Sequence, residues 1–269
     1  MLIIDQTKYT KVVFESYEEY CDFKHPVSQD LLEIKVASTD IEISEYPKGI
    51  VSEYLICWKK PVLENFQSYF SVSTGKKILK SIRNARNNGV SYQIFDHAPE
   101  ELYKSWYEKI YLPFVVTHQI TAIIGPDWLK EHNFSHSGIF IFKDNQVIGA
   151  RYFKKLQKRN AISFSYKAIA RLEGIDLNPL AEYAAFEVAK HLAVDEIRIG
   201  VDENLYGARL NVGLAEYKEK YGYSPCKYEH ASNYLRYICP LNLRVFDENL
   251  LTYVYDDSSK TYIRHYFSK

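Results

Sequence analysis

Nothing in this 269-residue chain approaches the roughly 18 uninterrupted apolar residues that a membrane-crossing helix needs, so no membrane span is expected. The opening segment, M-L-I-I-D-Q-T-K, has too short an apolar run and no small-residue cleavage site for a secretory leader, which makes the cytoplasm the expected compartment. The cysteines, Cys21, Cys57, Cys226 and Cys239, form no C-x-x-C pair and are expected to be reduced spectator thiols rather than a disulfide framework or a zinc knuckle. An excess of one charge is also lacking: 34 Lys plus Arg balance 34 Asp plus Glu, so any contact with nucleic acid must come from local patches. There is no G-x-S-x-G elbow and no G-x-x-x-x-G-K-S or T loop, which removes serine-hydrolase and P-loop readings. His132 and His136 are four apart, but Asn133, Ser135 and the coming strand argue against a helical metal pair, and no third ligand follows, so no metal is expected.

What is present is an ordinary globular core, at 46% hydrophobic residues, and 24 tyrosines, a residue that suits both polar pocket walls and half-buried strands. The first seventy or so residues are weakly patterned, with Val51 to Trp58 the clearest strand. Lys76 to Asn88 reads as a helix with Ile78, Leu79, Ile82 and Ala85 on one side and Gly89 after its end. A short strand at Tyr92 to Phe95 precedes a helix opened by Pro99 and ended or kinked by Pro113. From Ser137 the pattern sharpens into a hairpin turning at Lys143-Asp144-Asn145, a third strand at Ala161 to Ala168, and a helix opened by Asn178-Pro179. A fourth strand at Glu196 to Val201, a helix at Val212 to Tyr221 and a strand at Cys226 to His230 complete a βββαβαβ order. That order mixes an antiparallel meander with two crossovers.

The last of those helices reads N-V-G-L-A-E-Y-K-E-K-Y-G-Y. With the element order before it, this segment resembles the GNAT superfamily of N-acyltransferases, many of which carry here an Asn, small or apolar residues and then Tyr-Glu-Lys-x-Gly-Phe. Asn211, Leu214, Lys218, Glu219, Lys220, Gly222 and Tyr223 fall at those intervals. Gly213, Leu214, Tyr217, Lys218, Tyr221 and Gly222 also resemble the Gly-Leu-x-x-Phe-Lys-x-x-Phe-Gly of the Fem-like branch, whose members depend on aminoacyl-tRNA, with Tyr for both Phe. The resemblance implies an α/β fold: a GNAT-like mixed sheet with helices on both faces in residues 136–269, including closing strands at Leu251 to Tyr255 and Tyr262 to Phe267. Residues 1–135 would form an N-terminal α/β part, a partial or degenerate second GNAT-like unit. It implies an enzyme that moves an acyl group from a thioester donor, acyl-CoA or an acyl carrier, to an amine by direct attack. Aminoacyl-tRNA-dependent transfer and a non-catalytic binding protein of the same fold stay open beside it, because the usual glycine-rich pyrophosphate loop is replaced by A-I-A-R-L-E-G-I-D-L-N-P, with one glycine.

In the GNAT arrangement the third and fourth core strands diverge and the donor carbonyl enters the gap, so residues near their C-terminal ends are expected to face the reaction. Asp202 and Glu203 become candidates to orient or deprotonate the amine, against their ordinary reading as solvated loop acids. Lys218 is the candidate for a donor phosphate or a developing oxyanion, against an exposed helix lysine. Tyr166, Tyr206, Arg209 and Asn211 are substrate-binding candidates, Asn211 being also a natural N-cap. Lys167, Arg171 and Gly174 occupy the expected donor loop. Two basic clusters, Lys76, Lys80 and Arg83 on one helix face and Lys154, Lys155, Lys158 and Arg159 at a turn, are the candidate footprint for tRNA.

Overall fold

The computed structural model describes residues 2–5, 10–16, 19, 31–36, 49–117, 124–132, 136–208, 210–230, 234–240, 244 and 249–267. The chain is a mixed α/β protein that divides into two compact units, one made of Met1–Trp58 and Val201–Lys269, the other of Lys59–Gly200. The boundary expected near residue 135 falls inside the second unit. Composition along the chain does not reveal this division, because the first unit is assembled from both ends of the sequence.

Unit one begins with β1 (Leu2–Asp5), antiparallel to β2 (Thr10–Phe14), which lies parallel to β3 (Leu31–Val36). The single strand expected over Val51 to Trp58 is two, β4 (Ile50–Glu53) and β5 (Leu55–Pro61), which join different sheets. Tyr54 breaks the run: its N–H donates to the Tyr234 carbonyl and its own carbonyl accepts from Asn204, both at 2.8 Å, so the backbone turns out of one ladder into the other.

In unit two, α1 (Val72–Asn87) starts earlier than its hydrophobic pattern because Ser71 caps it, its hydroxyl accepting the Thr74 N–H. Ile78, Ile82 and Ala85 are its buried stripe, and Gly89 leaves it at φ 75°. After β6 (Val90–Phe95) comes α2 (Glu100–Trp106), a π-helical turn at Tyr107–Tyr111 and α3 (Leu112–Thr117). Pro113 therefore does not end this helix. Its ring excludes the bond to the carbonyl four residues back, and the preceding turn widens instead, Leu112 N–H reaching the Tyr107 carbonyl. Short α4 (Trp128–Glu131) leads to β7 (Ser137–Lys143), β8 (Gln146–Leu156) and β9 (Ala161–Ile169). The β7–β8 turn has Asp144 and Asn145 at φ 49° and 60°, the two positive values that let a tight hairpin follow the strand twist. The basic segment expected as a turn from Lys154 is strand to Leu156, and only Gln157–Arg159 turn. Helix α5 (Asn178–His191) crosses over to β10 (Glu196–Glu203), and the sheet runs β10, β9, β8, β7, β6. An aromatic core of Tyr103, Trp106, Trp128, Phe140 and Tyr152, all buried, fills this unit.

Unit one closes with α6 (Val212–Lys220), β11 (Ser224–Lys227), β12 (Leu235–Pro240) and a hairpin of β13 (Leu250–Asp256) with β14 (Thr261–Phe267). Strand β12 inserts between β3 and β4, antiparallel to both, which completes a five-stranded sheet from segments far apart in sequence. Cys57 and Cys226 meet with their sulfurs 3.0 Å apart. Among the described residues no helix is long and apolar enough to cross a membrane.

Candidate functional site

Two features of β9 create a site. Its parallel ladder with β10 runs from Ala161↔Glu196 to Phe164↔Ile199 and stops there, although β9 continues to Ile169. On its other side, against β8, the register shifts: Tyr152 pairs with Ser165 and Ala150 with Ala168, so Tyr166 and Lys167 together oppose Arg151. This is a β-bulge, and it holds Tyr166 in the left-handed region at φ 48°, a strained conformation for a residue with a Cβ. The surroundings over-determine it. Tyr166 packs on the Trp128 ring with centroids 5.0 Å apart, and the Trp106 indole donates to the Ala168 carbonyl at 3.0 Å. Burial, then Tyr111 nearby, raises the Tyr166 phenol.

Beyond the bulge, the end of β9, the loop after it and the start of α5 form one wall of a cleft of about 640 Å³. The opposite wall is the helix surface carrying Lys109, Ile110, Pro113, Phe114 and Thr117. The loop is built without a glycine-rich sequence. Leu172 and Ile175 bridge across a tight turn, Ile175 N–H to Leu172 carbonyl at 3.2 Å, and Gly174 supplies the one positive φ, 68°, that such a turn requires at its third position. Asp176 accepts from the Asn178 N–H at 3.0 Å and so opens α5, while the Lys167 ammonium donates to the Asn178 side chain at 3.1 Å. Lys109, Lys167 and Arg171 line the cleft against one carboxylate, Asp176, and the helix N-terminus adds partial positive charge. The cleft is thus an anion-accepting space with apolar walls, at the carboxyl end of a parallel strand, where open α/β sheets bind ligands.

A second polar cluster lies wholly in unit one. Three donors converge on a single oxygen of Asp202, Oδ2: the Trp58 indole at 2.9 Å, the Tyr206 hydroxyl at 2.5 Å and the Lys218 ammonium. All four residues are buried, and the Lys218 ammonium also sits 5.3 Å from the Trp58 ring centre. Burial first, and then the Asp202 charge, push the Tyr206 hydroxyl far up, so it stays a donor. Glu203 points to different partners, Arg236 at 3.0 Å and Lys11 at 3.4 Å. Burial opposes its ionisation, but those two cations outweigh burial and hold the carboxyl below its usual range.

The structure thus gathers the sequence-derived candidates into two places. Lys167 and Arg171 line the cleft in unit two. Gly174 shapes the loop without lining the cleft, its carbonyl accepting from the Asn84 amide of α1 at 3.5 Å, and Tyr166 turns into the aromatic core. Asp202, Tyr206 and Lys218 form the buried cluster. Lys218, expected in its ordinary reading as an exposed helix lysine, is instead buried with its ammonium on Asp202. Asn211 caps α6, its side chain accepting the Gly213 N–H at 2.6 Å, and Arg209 lies outside the described residues. Lys76, Lys80 and Arg83 are exposed on α1, as are Lys154 and Lys155 near the end of β8 and Lys158 and Arg159 in the turn after it. The sequence pattern puts Ile110 on this helix but gives no sign that Lys109, Ile110 and Phe114 line a cleft. It also missed Trp58, whose partner is 144 positions away. Among the described residues no group of three or more His, Cys, Asp or Glu could hold a metal ion.

No protein-family model matches the chain, and no curated protein sequence matches it. Solved structures similar to it include L-PGS from Bacillus licheniformis, at 12% identity over 88% of this chain and 78% of that one, with a TM-score of 0.43. A conserved protein of unknown function from Bacteroides thetaiotaomicron aligns at 10% identity over 77% and 68% of the two chains, with a TM-score of 0.47. A tandem GNAT protein from the clavulanic acid biosynthesis pathway aligns at 10% identity over 78% and 64%, with a TM-score of 0.43.

Proposed function

We propose that this chain is an acyltransferase of the GNAT type, which binds a coenzyme A thioester in the unit-two cleft and passes its acyl group to an amine. One observation carries the reading: the cationic cleft is lined by the part of β9 that outruns its parallel ladder and carries the bulge. Lys167, Arg171 and the α5 N-terminus suit a pyrophosphate. A bulge leaves a residue outside the regular ladder, and a backbone N–H so placed is the kind of donor that polarises a thioester carbonyl. The neutral amine attacks that carbonyl, the C–S bond breaks as the C–N bond forms, the electron pair leaves on the thiolate, and the amine proton goes to the thiolate or to water. Catalysis here is mostly positioning. In this reading Asp202, Glu203 and Lys218 support the frame of unit one.

Calorimetric titration with coenzyme A tests the proposal. Binding that Arg171→Glu weakens supports it. Failure to bind either coenzyme A or aminoacylated tRNA leaves a binding protein of this fold. Aminoacyl-tRNA as donor is the second reading. It is favoured by the exposed Lys76, Lys80 and Arg83 on the helix whose Asn84 touches the donor loop at Gly174.

A further inference from the structure

We infer that the acyl group carried into this cleft is an apolar chain longer than acetyl. The inference rests on the acyltransferase reading and concerns the walls rather than the cationic groups. An acetyl donor brings one methyl group to the site. The cleft instead presents half-buried Ile110 and Phe114, at i and i+4 on the helix, and half-buried Ile169, Leu172 and Ile175 on the facing strand and loop. Both side chains stand where the helix widens: the π-helical turn at Tyr107–Tyr111 precedes Pro113, and Ile110 and Phe114 fall on either side of that proline. The loop makes the same choice. Where a phosphate-cradling loop is rich in glycine, this one places Leu172 and Ile175 at the two ends of its turn and uses a single glycine between them. Lys109, Lys167 and Arg171 share the cleft with these side chains, so it complements an amphiphile with a phosphate-bearing head and an apolar tail, which describes a medium-chain acyl-CoA. At about 640 Å³ the cleft is in the range that encloses a drug-sized ligand, well beyond what an acetyl group fills.

The test is calorimetric titration of the full chain with coenzyme A and its acetyl, butanoyl, hexanoyl and octanoyl thioesters, below micellar concentrations and at fixed ionic strength. Affinity is expected to rise by about fourfold for each enclosed methylene, then level off once the cleft is filled. Equal affinity for acetyl- and octanoyl-CoA overturns the inference and leaves the acyltransferase reading intact. No binding anywhere in the series sinks both. Competition by vesicles of anionic phospholipid, with no chain-length trend among the thioesters, also overturns it and assigns the apolar walls to a lipid acceptor. Leu172→Asp and Ile175→Asp, at the two half-buried ends of the turn, are expected to flatten the trend at least severalfold, with the melting temperature of the unliganded protein reporting folding separately. A trend unchanged in both variants overturns the assignment.

Discussion

The two polar clusters of this molecule use the same kinds of residue in opposite ways. Around Asp202 in unit one, a carboxylate, an ammonium, an indole and a phenol are buried against one another, each charge met by a partner of opposite sign or a hydrogen-bond donor. Around Lys167 and Arg171 in unit two, cations outnumber carboxylates and line open space. The first arrangement suits a group that must not move. The second suits a group that waits for a ligand. Position in the strand order pointed to residues of both clusters, Asp202 in the first and Lys167 and Arg171 in the second, while the motif register of α6 added Lys218 to the first.

The largest expected effect comes from breaking the closed cluster. Asp202→Ala takes the ion-pair carboxylate from the buried Lys218 ammonium, and removing one partner of such a pair costs about 3–5 kcal/mol. Urea unfolding should show that loss. Adding Lys218→Met to Asp202→Asn should recover most of it, because the uncompensated charge is then gone. An Asp202→Ala protein that unfolds at the wild-type urea midpoint yet fails to turn over would move this cluster from the frame to the chemistry.

Next in size is the open cleft. Arg171→Glu or Lys167→Met should weaken coenzyme A binding roughly 10- to 100-fold, the worth of a hydrogen bond to a charged group. The stability of the Arg171 variant should stay within about 0.5 kcal/mol of wild type, since that side chain is exposed. Isothermal titration beside urea unfolding separates the two quantities. A large stability loss with unaltered affinity would erase the distinction between the clusters.

Unit two was legible where local chemistry decides structure. Asp144-Asn145 announces its hairpin, Asn178-Pro179 its helix, and the order of strands places Lys167 and Arg171 at a strand end and loop. Unit one was not, because β3 and β12 pair across some two hundred residues and neither short strand carries a long alternating pattern. Closure entropy for such a pairing is repaid by tertiary burial that local periodicity does not encode. The same reason hid Trp58 as the partner of Asp202. The apolar wall of the cleft was hidden for a related reason: Pro113, expected to end or kink its helix, is accommodated by a wider turn before it, and what that helix surface faces is set by tertiary packing.

Unit two also holds one closed cluster, which sharpens the contrast within a single unit. Lys60 and Arg151 both reach the buried Glu182, at 3.5 and 2.8 Å. Burial, opposed by Glu182, pulls the Lys60 ammonium from 10.5 down to about 8. Between those values the unfolded chain binds a proton that the folded chain does not, so stability should rise with pH through that window. Relative to Lys60→Met, wild-type protein is expected to gain on the order of 2 kcal/mol between pH 8 and 10.5 in urea unfolding. Exposed lysines titrate alike in both proteins and cancel. A flat difference would mean that Lys60 is paired too well for burial to dominate.

The smallest effect is expected on the exposed face of α1, and it decides between donors. Lys76, Lys80 and Arg83 carry charge into solvent, where screening leaves an isolated surface cation little to contribute to a small ligand. Replacing all three with Ala should change coenzyme A affinity less than about twofold. If the donor is a tRNA the same replacement removes phosphate contacts, each of which contributes roughly 0.7–0.9 to the slope of log affinity against log salt. Titration at several salt concentrations therefore reads the two cases on different axes. An unchanged slope for tRNA together with submicromolar coenzyme A binding would leave the cleft as the site of the donor and the α1 face as an ordinary solvated surface.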